Sequence, residues 1–188
     1  MNPDVQRELI PRDDALRLIN ALAGMKPRFI DAAEKWQLLD ETGHVPASPS
    51  YAELIQHAAD AQVLSRDVVQ MTADFARTAH SKSRAGSAVL AHLATAATMS
   101  SHAVPRFAEA AEVALALSRP VLTSGEYLEN RVVIDHATAR AFLRRTSESL
   151  RDAAKELTAH LDFHRFFPAS SPQKSAAPPP PGPSARHR

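Results

Sequence analysis

Apolar residues in the middle of the chain recur every three or four positions. Leu54, Ala58, Ala61, Val68, Met71, Phe75 and Ala79 step along one helical face, and Ser50 with Glu53 forms a capping box just ahead of them. This spacing predicts a helix from Ser50 to about His80. A second seam, His136, Ala139, Leu143, Thr146, Leu150, Ala153, Leu157, His160 and His164, predicts a long helix from an N-capping Asp135 to about Phe166. Between them lies a third regular stretch, residues 85–104, with Pro105 expected to kink it or to open a new helix running to Ser118.

Ahead of these, Leu16, Ile19, Leu22 and Ala23 share one face and Gly24 supplies a left-handed stop, so Pro11 to Gly24 reads as a helix. A further helix follows from Pro27 to about Thr42, with Phe29, Ala33 and Trp36 facing inward. No stretch shows sustained apolar–polar alternation. The β-branched run "RVVID" (131–135) is the best strand candidate, and it stands alone in a segment, 121–134, that otherwise reads as irregular or as a short helix after Thr123 ("TSGE").

The expected fold is therefore all-α. An N-terminal αα-hairpin (1–46) precedes an antiparallel bundle of long alanine-rich helices (48–166), and a disordered proline-rich tail (167–188) follows. From Pro168 onward the chain holds half of its 14 prolines and no Leu, Ile, Val or aromatic residue, a composition that cannot form a core.

Residues 85–104, "AGSAVLAHLATAATMSSHAV", carry no Lys, Arg, Asp or Glu, although charged residues make up 23% of the chain. Ala, Ser and Thr gain little from hydrocarbon and two His cost energy there, so a membrane span is disfavoured. The expectation is a strut enclosed by neighbouring helices, with Ala88, Ala91, Ala94, Thr95 and Thr98 letting backbones come close. Thr side chains are expected to bond carbonyls of their own preceding turn.

Charge is nearly balanced, with 22 basic and 21 acidic residues, so no global field points to nucleic acid or a membrane. Arg165, Lys174, Arg186 and Arg188 follow the last acid, which gives a slightly acidic body a basic end. There is no cysteine, which removes disulfides, thiol nucleophiles and thiolate metal sites together. The first residues, "MNPDVQRELIPRDD", lack a basic start and an apolar run, so the expected location is cytoplasmic. Five dispersed glycines form no phosphate-binding loop or nucleophile elbow.

Candidate chemistry is sparse. His160 and His164 stand one turn apart, a spacing that suits two ligands of a metal, but Asp162 points away from both. His92 and His102 do not share a face and read as interior histidines. Residues 16–35 match a helix-turn-helix with its turn at Gly24, which makes Lys26 and Arg28 candidate contacts to nucleic acid. Acids Asp31, Glu34, Asp40 and Glu41 oppose that reading. Arg140, Arg144 and Arg145 form a basic patch for a protein partner, with Glu148 spaced to pair with Arg144.

Two short strings resemble histidine phosphorelay proteins. "AHSKSRAGSA" (79–88) is similar to the phosphotransfer-domain pattern of His followed by Lys, Gly and small residues, with that Lys–Gly pair split and displaced here. "SSHAVP" (100–105) is similar to the Ser-His…Pro of kinase dimerisation helices. The resemblance implies a phosphoryl-accepting His80 steadied by Lys82 and Arg84.

No cofactor is expected. The reading that follows is a non-catalytic helical interaction, scaffold or regulatory protein that binds a protein partner or itself, with homo-oligomers expected because alanine-rich seams bury little area per residue. A DNA-binding regulator using 16–35 and a histidine phosphotransfer protein are the alternatives.

Overall fold

The computed structural model describes residues 10–39, 49–119 and 125–166. Four α-helices account for nearly all of them: α1 (Arg12–Lys35), α2 (Tyr51–Arg77), α3 (Arg84–Leu117) and α4 (Gly125–Phe166). A single 3₁₀ turn, Ala79–Lys82, joins α2 to α3. No strand occurs among the described residues. The proline-rich segment from 167 and residues 1–9 and 40–46 of the expected hairpin lie outside them.

Cross-helix contacts fix the topology as up-down-up-down. Arg140 reaches Ala33, Ser147 reaches Lys26 and His160 reaches Ile10, so α4 runs antiparallel to α1. Thr72 of α2 donates to the Leu93 carbonyl of α3, and His102 of α3 lies on Phe142 of α4. The close helix pairs are α1–α4, α4–α3 and α3–α2; α1 and α2 stand wider apart.

Both periodic seams hold over most of their length; Ala79, expected at the end of the first, lies in the 3₁₀ turn and is exposed. On α2, Leu54, Ala58, Ala61, Val68 and Phe75 are buried, and the Ser50 hydroxyl accepts from the Glu53 N–H at 3.2 Å as the capping box requires. On α4, His136, Ala139, Leu143, Thr146, Leu150, Ala153 and Leu157 are all buried.

Four expectations are corrected. The N-terminal hairpin is one continuous helix, α1, which passes through Gly24 and Pro27 and forms one side of the bundle. Ala15, Leu22 and Phe29, spaced by seven, stay on one buried face only if the helix does not turn. That burial on α4 outweighs local costs of about 1 kcal/mol for Gly and about 3 for Pro. Second, no new helix opens at Pro105, the alternative to a kink there: α3 runs on through it.

Third, the long last helix starts at Gly125, not Asp135, so most of the segment read as irregular, with its strand candidate 131–135, is helical. Val132 is fully buried in a small cluster with Leu38, Leu54, Ala111, Val113 and Ala114, and this apolar anchor draws the β-branched run into the helix. Fourth, the uncharged stretch 85–104 is not enclosed. Val89, Leu93, Ala96, Ser100 and Ala103 are buried, but Ser87, Ala91, Ala94, Thr98 and Ser101 are exposed. Each helix of a four-helix ring has two neighbours and buries one stripe. Thr95 does bond the Ala91 carbonyl of its preceding turn, at 3.0 Å.

Two glycines separate packing from propensity. A Cβ on Gly24 would meet nothing within 4 Å, whereas one on Gly86 would lie 1.8 Å from the His80 carbonyl oxygen. Gly86 sits under the 3₁₀ turn, where the Ser83 hydroxyl accepts from its N–H and donates to that same carbonyl. Gly24→Ala is expected to raise the unfolding free energy by about 1 kcal/mol. Gly86→Ala is expected to lower it by about 2 kcal/mol through overpacking. Urea denaturation of both variants checks the pair, and two changes of the same sign contradict the packing at Gly86.

Candidate functional site

The most polar part of the core lies where α1 ends and α4 begins. Trp36, just past α1, stacks on His57 of α2 with ring centres 4.9 Å apart and planes 12° from parallel. Phe107 of α3 sets its edge against Trp36, His57 and His136 at 5.2, 5.9 and 5.4 Å. His57 and His136 stand 6.1 Å apart. His136 is 2% exposed.

Neither His57 Nδ1 nor His136 Nε2 has a hydrogen-bond partner among the described residues. Burial pushes both rings toward the neutral form. Desolvation pushes the His136 pKa down to about 4, reinforced by His57 and by Arg140. Desolvation also lowers His57, against the pull of Glu53 and Asp60. Two neutral imidazoles in an aromatic box act as packing elements, and their unpaired nitrogens make that packing costly to charge.

Asp135, expected as an N-cap, is instead 5% exposed inside α4. Its Oδ1 accepts from Arg106 Nη1 of α3 at 3.1 Å, and Arg131 Nε lies 3.7 Å from its Oδ2.

The expected binding residues divide. Arg140 is no surface patch: its Nε donates to the Ala33 carbonyl at 2.6 Å and so satisfies the open end of α1. Arg144 and Arg145 are exposed, and it is Arg145, not Arg144, that pairs with Glu148, at 2.9 Å. Lys26 is exposed while its carbonyl accepts from Ser147. Arg28 binds Asp67 of α2 at 2.8 Å. With no turn at Gly24, Lys26 and Arg28 are not on a recognition helix, and the helix-turn-helix reading loses its basis.

His160 Nε2 accepts from the Ile10 N–H at 3.1 Å. The His164 side chain lies outside the described part. Among the described residues no three His, Asp or Glu gather as a metal site. His80 faces Asp14, 3.5 Å from Nε2, rather than Lys82 or Arg84. His92 is partly exposed and His102 exposed, so neither is an interior histidine. Among the described residues no helix is long and apolar enough to cross a membrane.

Two surfaces remain, and neither stands out in the sequence as a site. One is the seam between α1 and α2, which contains cavities of about 660 and 370 Å³. The other is the outward face of α2 and α3. On α3 that face is the small, uncharged set Ser87, Ala91, Ala94, Thr98 and Ser101; on α2 it carries Ile55, Ala59, Gln62, Arg66 and Val69. Ile55 and Val69 are 38% and 46% exposed. No family model, curated protein or solved structure matches the chain.

Proposed function

We propose that this chain is a non-catalytic helical interaction protein that associates with itself through the outer faces of α2 and α3. One observation carries the reading: over five turns the outward side of α3 is free of charge, and the neighbouring α2 face adds Ile55, Ala59, Gln62 and Val69 with Arg66 as its charged member. A solvent-facing helix surface is ordinarily charged; small uncharged side chains let a second helix approach closely and lose little hydration on burial. The expected partner is a second copy, because an uncharged surface gives a differently charged partner nothing to select.

Sedimentation equilibrium at micromolar concentration is expected to give a mass above one chain. Ala94→Glu with Ala59→Glu, both at exposed positions, is expected to give a single-chain mass with unchanged helical circular dichroism. A single-chain mass for the unaltered protein removes the reading.

A further inference from the structure

The seam between α1 and α2 is the side of the ring that the chain does not close. Two open clefts, of about 660 and 370 Å³, sit here on either side of the Arg28–Asp67 bridge. The floor of the larger one is apolar, formed by Leu18 and Ala21 of α1 with Met71 and Phe75 of α2.

The two rims differ in charge. On α1, acids and bases alternate in pairs: Asp14 with Arg17, and Asp31 with Lys35. On α2, Glu53, Asp60, Asp67 and Asp74 are spaced by seven; Asp60, Asp67 and Asp74 line the cavities of this seam, and Glu53 lies one step beyond them, beside residues 37–39. Seven residues are nearly two full turns, so the four acids form one row, with steps of about 10.5 Å along the helix. Of these, Asp67 alone is bridged across the seam among the described residues. Asp60 takes Gln56 of its own helix, and Asp74 takes Gln70 and Arg77 of its own helix. Three of the four acids thus have partners within the chain, and the row still sets a carboxylate at every second turn of α2.

We propose that this seam receives an amphipathic helix of a partner protein. Its apolar stripe lies on Leu18, Met71 and Phe75, and its Lys or Arg residues, seven apart on one flank only, face the acidic row of α2. The occupant follows from charge complementarity: the α2 rim repels an acidic helix and the balanced α1 rim is indifferent. The Arg28–Asp67 pair, about half exposed on both sides, is cheap to reorganise, because water already screens it. This interaction uses a different side of the bundle from the α2–α3 face and does not rest on self-association.

The test is fluorescence anisotropy with the full chain and two synthetic helices of about 21 residues. Both have Leu at the apolar heptad positions; one has Lys and the other Glu at every seventh position beside that stripe. The Lys helix is expected to bind, to weaken with added salt, and to bind on the order of tenfold more weakly to a double variant, D60K with D74K. The Glu helix is expected to prefer that variant. Both altered residues are exposed, and unchanged circular dichroism verifies the fold. No binding of the Lys helix, or equal binding of the two helices to either protein, overturns the proposal. Displacement of the Lys helix by a synthetic peptide of residues 167–188 assigns the seam to the chain's own basic end and overturns a partner. A fall in sedimentation mass on adding the Lys helix assigns it to a second copy and does the same.

Discussion

Phe107→Ala is expected to lower the unfolding free energy by about 4 kcal/mol. The ring is fully buried and touches three others, Trp36, His57 and His136, that come from the end of α1, from α2 and from α4. Its removal forfeits the transfer energy of an aromatic side chain and leaves a cavity whose walls are held by three different backbones. Those walls close poorly, because Trp36 is stacked on His57 and His136 sits on a helix anchored by Asp135–Arg106. Trp36 is the protein's one tryptophan, so its fluorescence reports the same event directly. A blue-shifted emission in the native protein is expected to move toward that of exposed indole in the variant, together with a lower urea midpoint. Tyr127→Ala, at a position 58% exposed, serves as the comparison and is expected to change stability by less than about 0.5 kcal/mol. A loss below about 1 kcal/mol for Phe107→Ala is incompatible with the ring cluster as a closed part of the core.

The same cluster shows which parts of the molecule are legible in the residues. The seams of α2 and α4 are, because side chains that face one core must recur at helical spacing, and register alone places His136 on its seam. Leu143, Leu150 and Leu157 need no further information. Gly24 and Pro27 mislead, because they report local cost while the decision lies with Ala15, Leu22 and Phe29 packing on a helix more than a hundred residues away in the chain. Asp135 misleads for a similar reason. An acid before an apolar run reads as a cap, and its true partner, Arg106, is distant in sequence.

The uncharged stretch of α3 shows that absence of charge does not imply burial; it marks only a surface that costs little to cover. The pairing of His57 with Trp36 leaves no periodic signal, since a single polar residue at a half-buried position looks the same whether it meets water or an indole. The acidic row of α2 is present in the sequence at spacing seven. It gains meaning only when the cavities place α1 along the same edge.

Acidification is expected to weaken the fold over a defined range, with His136 as the main cause. In the unfolded chain its pKa is the ordinary 6.5, and in the folded protein burial and the neighbouring His57 and Arg140 lower it to about 4. The unfolded state therefore binds the proton first. Above pH 6.5 both states are neutral and the contribution of His136 to stability is complete. Between pH 6.5 and about 4 it is progressively lost, by about 2 kcal/mol at pH 5 and about 3 kcal/mol in full.

His57, lowered in the same direction by burial, adds to the loss. The comparison that isolates the imidazole is His136→Phe, which keeps a ring beside Phe107 and removes the titration. Its stability between pH 7 and pH 5 is expected to change by about 2 kcal/mol less than that of the unaltered protein. Equal pH dependence of the two proteins, or a His136 ring that titrates near 6.5 by NMR in the folded state, contradicts a neutral buried imidazole at this position. Since His136 lies beside the Arg140 that satisfies the end of α1, charging it places two cations at one helix junction. Loss of the Trp36–His57 stack is therefore expected to precede global unfolding as the pH falls.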